Sequence, residues 1–227
     1  MKEYEIIDTR VNPNEIDLFK NDDTLLVNEE SRKRYHTVVC KLLYLSKKIR
    51  PDILLNISYL SSFVNNCSVY KYNCLGKVLK YLNSTSDRGL IFRGGGDLTP
   101  IIYGDAAFMV HDNLKSRSGV CVLMSGGIIV SRSRKQSILT QSSTEAELVC
   151  LHTAMIEALD IKRKCDSFRI ECSIPIIKQD NQSVLALIKR GKPSSLRTKH
   201  ISLKYFIISD MVREQKVVVE WCPTDKM

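Results

Sequence analysis

The sequence predicts an α/β fold: a five-stranded mixed sheet with covering helices, preceded by a small, mostly helical module. Three observations carry this. Residues 42–82 place apolar side chains at helical spacing. From Ile101 onward the pattern runs strand, strand, strand, helix, strand, helix, helix, strand. After the third strand comes Gln141 to Lys164, the longest stretch that reads as one buried helix. That order suits a mixed sheet covered by helices.

The elements follow in order. Residues 1–34 mix short apolar runs with Asn, Asp and Glu clusters and read as an irregular, acidic lead. From Tyr35 the pattern becomes helical. Leu42 to Val64 is broken at Arg50-Pro51, where proline ends one helix and opens the next at its first turn. Leu75, Val78, Leu79 and Leu82 then point inward and Lys77 and Lys80 outward, with a turn and a short strand following up to Phe92. Gly94 to Asp97 reads as a hinge between a module at 35–97 and a second region at 98–227, because it lacks the lysine and the spacing of a phosphate-cradling loop.

In the second region Ile101 to Phe108 is a strand, and Ser118 to Met124 and Gly127 to Arg134 form a hairpin through Ser125-Gly126-Gly127. Ser142 and Glu145 stand in capping-box spacing, so the long helix should begin near Ser143. Its Leu148, Leu151, Met155 and Leu159 form an apolar stripe that Val149, Cys150, Ala154 and Ile156 widen. Ile174 to Asp180 is the fourth strand. Asn181 to Arg190 is a helix stopped by Gly191 and Pro193, His200 to Glu214 another helix, and Lys216 to Cys222 the last strand, with Trp221 read as core.

The 227 residues carry a net charge of +9, unevenly spread: −6 over residues 1–30, +9 over 31–100 and +6 over 101–227. A basic body suits a polyanion such as nucleic acid, and is otherwise a solvated surface. The eight cysteines form no CxxC pair and lie among apolar residues, which argues against a zinc site. The N-terminus is charged from its second residue, and no apolar run is long enough to span a bilayer. The expectation is an intracellular protein, cytoplasmic or nuclear, with no membrane partner.

Three carboxylates stand where this topology converges. Asp105 ends the first strand, Glu147 lies near the start of the long helix, and Asp180 ends the fourth strand. With the first and fourth strands adjacent, the aspartates project side by side and the helix N-terminus brings Glu147 over them. Taken alone, Glu147 also fits as an acid that favours the positive end of a helix. Clustered carboxylates repel unless a cation holds them, and oxygen-only ligands select Mg2+ or Mn2+. Two such ions about 3.5–4 Å apart activate water and stabilise the departing oxygen at phosphorus, which points to phosphodiester hydrolysis.

Six stretches in chain order, LLYLSKKIRPDI, GKVLKYLNSTSDRGL, RKQSILTQSSTEAELVCL, QDNQSVLALIK, RTKHISLKYFII and WCPTDKM, together resemble a known family, the ribonuclease H region of copia-type retrotransposon polyproteins with the connection segment that precedes it. RKQSILTQSSTEAELVCL is similar to that family's KKQ…SSTEAEY, QDNQSVLALIK to CDNQSAIALA, RTKHISLKYFII to RTKHIDIRYHFI, and WCPTDKM to YVPTEEQLAD. LLYLSKKIRPDI and GKVLKYLNSTSDRGL resemble its LLYL…TRPDI and LRYLKGT…GL. The likeness runs from about Tyr35 to Met227. It implies the ribonuclease H-like sheet and two Mg2+ (or Mn2+) ions. It also implies cleavage of the RNA strand of an RNA–DNA hybrid during reverse transcription, with the rest of the polyprotein upstream as partner.

Carried over by position, Asp105 in YGDA, Glu147 as the second glutamate of STEAE, and Asp180 in QDNQS would be the catalytic, metal-binding carboxylates; Glu145 would be the cap, the exchange of those two glutamates staying open. A fourth carboxylate is expected on a helix beyond PTDKM, so a domain at 98–227 is expected to lack its last helix and to be impaired. The palm with its YxDD motif is absent, so no polymerase is expected. Arg132, Arg134, Lys135, Arg197, Lys199 and His200 are candidate phosphate contacts or ordinary surface, and Asn181 and Gln182 either read the hybrid's 2′-hydroxyls or start a helix. The rival to an enzyme is a non-catalytic remnant that binds nucleic acid without cutting it.

Overall fold

The computed structural model describes residues 16–20, 25–92, 97–190 and 199–227, the side chains of 199–202 excepted. The chain divides into two units, Met1–Leu90 and Ile91–Met227. In the first, helix α1 (Glu29–Lys48) begins at Asn28, whose Oδ1 accepts the Ser31 N–H at 2.8 Å. Glu29 and Glu30 occupy its first turn and Lys47 and Lys48 its last, each on the end of the helix dipole that favours it. The helix therefore starts before Tyr35, and the last acids of the presumed irregular lead are its N-terminal turn. Further back, Ile16 and Leu18 are buried in this unit's core, and Leu26 bridges to Ser68.

Pro51 opens a single 3-10 turn, Pro51–Ile53, that leads into α2 (Leu54–Leu60). Helix α3 (Val69–Ser84) starts earlier than Leu75 because Ser68 caps it, its Oγ accepting the Lys71 N–H at 3.2 Å. Tyr35, Val39, Ile53, Ile57, Leu60, Leu75 and Val78 close the core. Two cations sit inside this unit. Arg50 forks onto Asp52, with Nη2 at 2.8 Å from Oδ2, and donates to Thr85 O at 2.8 Å. Lys71 donates to Leu18 O at 2.9 Å with its ammonium 5.0 Å from the ring centroids of both Tyr59 and Phe63.

The second unit holds β1 (Ile101–Ala107), β2 (Arg117–Met124), β3 (Gly127–Lys135), α4 (Ser143–Ser167), β4 (Ile176–Gln179), α5 (Gln182–Arg190), α6 (Lys199–Arg213) and β5 (Val218–Trp221). The five strands form one sheet in the order β3-β2-β1-β4-β5. β1 and β2, and β2 and β3, pair antiparallel, whereas β1 and β4, and β4 and β5, pair parallel. This is the mixed, ribonuclease H-like sheet that the sequence predicts. The β2–β3 turn puts Ser125 at φ 49 and Gly126 at φ 73, the mirror-image turn that matches strand twist.

Helix α4 packs Leu148, Cys150, Leu151, Ala154, Met155 and Ala158 into a core with Ile102, Val120, Val122 and Ile177. Gly104 sets how closely α4 approaches β1: a Cβ there would lie 3.2 Å from Ala154 Cβ. Three expectations fail. Ile156 is exposed, so the stripe is narrower than its sequence suggests. Trp221 is 54% exposed instead of core, because it ends β5, the edge strand of the described sheet. The short strand before Phe92 does not form: Phe92 lays its ring against Gly127 in place of joining a ladder. The hinge at Gly94–Gly96 and the Gly191 and Pro193 stop lie outside the described residues. No described helix is long and apolar enough to cross a membrane.

Candidate metal centre

The register of β1 and β4 builds the site. Tyr103 pairs with Lys178, so Asp105 and Asp180, each two residues further on, lie beyond the same end of the β1–β4 ladder; Asp180 follows β4, whereas Asp105 does not end β1, which continues against β2 to Ala107. Asp105 is exposed and Asp180 partly buried. Above them α4 begins at Ser142, whose Oγ accepts the Glu145 N–H at 3.2 Å, while Glu145 Oε2 accepts the Gln141 N–H at 2.7 Å. Glu145 is thereby turned back along the chain. Glu147 stands one turn into the helix, beyond Glu145, the acid of its first turn, and is only 6% exposed. One carboxylate oxygen from each of Asp105, Glu147 and Asp180 lies within 4.8 Å of the others.

Neighbouring donors hold this arrangement. Glu147 Oε1 accepts the Ala106 N–H at 3.1 Å, and its Oε2 accepts from the Gln179 amide at 3.4 Å. Thr224 Oγ1 donates to Asp180 Oδ2 at 2.8 Å. The Cys150 thiol, driven above its ordinary pKa by burial, donates to the carbonyls of Asp105 at 3.1 Å and Gly119 at 3.3 Å, pinning the backbone that carries Asp105. Gln136 fastens the helix start, its amide donating to Ala146 O at 2.9 Å and Ser118 Oγ at 2.8 Å. Sequence reasoning missed Cys150, Gln136, Gln179 and Thr224 as supports. Strand alternation could have found Gln179, since it shares the inward face of Ile177.

Burial first, and then the charge of Asp105, push the Glu147 carboxyl up to about 8; Asp180 adds to the rise, and the Ala106 N–H and Gln179 oppose it. No described lysine or arginine pairs with the three acids. Crowded, oxygen-only ligands with one exposed member fit a hard divalent cation reached from solvent. The donor set suits Mg2+ or Mn2+.

The candidate nucleic-acid residues separate. Arg134 and Lys135 are exposed at the end of β3, and the ladder carries them to the sheet end that bears Asp105: Asp105 pairs with Gly119 and Gly119 with Ser133. Arg132 is held in a two-point ion pair by Glu157 of α4, with Nη2 3.0 Å from Oε2. Asn181 Oδ1 accepts the Val184 N–H at 3.2 Å and so caps α5, whereas Gln182 is exposed. Arg197 lies outside the described residues. Lys199 and His200 open α6, and their side chains are likewise outside.

No family model matches the chain. Among known proteins it is 31% identical over 188 residues to a retrovirus-related Pol polyprotein from transposon TNT 1-94 of Nicotiana tabacum, covering 82% of this chain and 14% of that protein. It is 31% identical over 181 residues to a Pol polyprotein from transposon RE2 of Arabidopsis thaliana, covering 79% of this chain and 12% of that protein. Over 126 residues it is 33% identical to a Plasmopara viticola protein called secreted RxLR effector protein 161, covering 55% of this chain and 89% of that protein. Among solved structures it is similar to ribonuclease H1 of Halobacterium salinarum, with a TM-score of 0.40 and 16% identity over 56% of this chain and 87% of that one. It is also similar to the prototype foamy virus protease-reverse transcriptase, with a TM-score of 0.42 and 15% identity over 90% of this chain and 26% of that one. The chain thus spans about an eighth of the length of the two Pol polyproteins. The likeness to those two polyproteins covers about four-fifths of this chain, which is therefore homologous to a segment of retrotransposon Pol polyproteins, consistent with a copia-type ribonuclease H segment.

Proposed function

We propose that this chain is a metal-dependent ribonuclease that hydrolyses the RNA strand of an RNA–DNA hybrid, working inside the cell within a retrotransposon polyprotein during reverse transcription. The observation that carries the reading is the meeting of Asp105, Glu147 and Asp180 within 4.8 Å at one end of the sheet. The three would hold two Mg2+ or Mn2+ ions, which supply an activated water and charge stabilisation at phosphorus. The protein's part is to hold the carboxylates converged and to seat the duplex. Arg134 and Lys135, two strands from Asp105 and so about 10 Å away at ordinary strand spacing, are placed to take backbone phosphates. Asn181, with its carbonyl oxygen committed to the helix cap, keeps only its amide for a 2′-hydroxyl.

The test is cleavage of a labelled hybrid in Mg2+ or Mn2+, with Asp105→Asn beside the unmodified chain. The several kcal/mol that bound metal contributes correspond to about a thousandfold loss in the variant. Hybrid binding without metal-dependent cleavage would overturn the nuclease reading and leave a nucleic-acid-binding segment.

A further inference from the structure

The amide of Gln179 is the only side-chain amide among the described residues that is wholly buried against the carboxylate cluster, at 0% exposure. Burying an amide in an apolar sheet interior is unfavourable unless both of its ends are bonded. Both are. Its Oε1 accepts the Asn181 N–H at 3.0 Å, which fixes which end of the amide is the oxygen. Its nitrogen is thereby turned towards Glu147 Oε2, 3.4 Å away. Glu147 is held on its other oxygen by the Ala106 N–H at 3.1 Å. One donor per oxygen fixes the carboxylate plane and leaves each oxygen with acceptor capacity to spare, and one of the two lies within 4.8 Å of an oxygen of Asp105 and of Asp180. The same Asn181 N–H that orients Gln179 belongs to the residue that caps α5 and follows Asp180. A single buried amide thus ties the helix-borne carboxylate to the strand end that carries Asp180.

Resting on the nuclease reading above, we infer that Gln179 is a positioning residue that sets the affinity of the Asp105, Glu147 and Asp180 cluster for a divalent cation. It touches neither ion nor substrate; it acts through Glu147. Loss of a hydrogen bond to a charged acceptor costs about 1.5–3 kcal/mol, and the 3.4 Å separation puts Gln179 at the low end, about tenfold in affinity.

The experiment is calorimetric titration of the full chain with Mn2+ alone, without nucleic acid, for the unmodified protein, Gln179→Met and Asp105→Asn. Methionine keeps the side-chain length and removes the donor. The expected result is Mn2+ binding weakened about tenfold in Gln179→Met, with hybrid cleavage recovering towards the unmodified rate once Mn2+ is raised correspondingly. Should Gln179→Met unfold, Gln179→Asn, which keeps an amide but falls one methylene short, is expected to show the same weakening. A merely structural role would lower the unfolding midpoint without moving Mn2+ affinity, and a folded variant binding Mn2+ as the unmodified chain does overturns the inference. If Asp105→Asn abolishes binding and Gln179→Met leaves it intact, the metal centre stands and the Gln179 role falls. If the unmodified chain binds no Mn2+, the nuclease reading fails and this role fails with it.

Discussion

Two buried clusters of charge, one in each unit, are built on opposite plans. In the first unit Arg50 meets Asp52, Tyr81 OH donates to Asp52 Oδ2 at 2.8 Å, and the remaining guanidinium hydrogens go to Thr85. Burial alone would raise the Asp52 carboxyl, but the Arg50 and Tyr81 hydrogen bonds outweigh it and hold the group below the usual carboxylate range. In the second unit burial first, and then the charges of Asp105 and Asp180, raise Glu147 to about 8, with only the neutral donors of Ala106 and Gln179 opposing the rise. The first cluster is complete within the chain. In the second no lysine or arginine among the described residues supplies a counter-charge, and such incompleteness is what sets a candidate site apart from a support.

This contrast predicts opposite outcomes for charge removal. Largest is Asp105→Asn, expected to cut hybrid cleavage about a thousandfold while raising the unfolding midpoint of the metal-free protein, since it relieves repulsion; a lowered midpoint would break the comparison. Next is Arg50→Leu, expected to destabilise the chain by about 2–3 kcal/mol in urea unfolding, below a fully buried pair because Asp52 is 34% exposed. Third is pH. A Glu147 carboxyl raised in the folded state contributes stability that is fully present below its ordinary pKa near 4.5 and is lost as pH rises through about 8. The metal-free protein should therefore lose stability between those values, by at most about 1.4 kcal/mol per pH unit from this group, and Glu147→Gln should flatten that part of the profile. Smallest is Gly104→Ala, where a methyl 3.2 Å from Ala154 Cβ should cost about 1 kcal/mol by pushing α4 off β1.

Much of this was legible in the residues. The capping pair Ser142 and Glu145 places the start of α4 at Ser143, whereas the adjacency of β1 and β4 that brings Asp105 and Asp180 together enters the sequence reading only as a condition, which the sheet order meets. What was not legible has physical causes. Glu29 and Glu30 read as part of an acidic lead because acids suit both a solvated tail and a helix N-terminus, and Asn28 is a cap only once the backbone turns. Trp221 reads as core by its chemistry, but exposure is decided by which strand lies outermost. Arg132 reads as a phosphate contact or ordinary surface because its partner, Glu157, is 25 residues away and meets it only when α4 crosses the sheet.

The position of Trp221 has an optical consequence. It is the one tryptophan in 227 residues, it is half open to water, and it lies opposite Gln179 in the β4–β5 ladder, next to the residue that precedes Asp180. Ultraviolet emission from this protein therefore reports on a single place. Its spectrum should be that of a partly hydrated indole, and it should respond when a paramagnetic ion or a nucleic acid arrives at that end of the sheet, giving a label-free signal built into the edge strand.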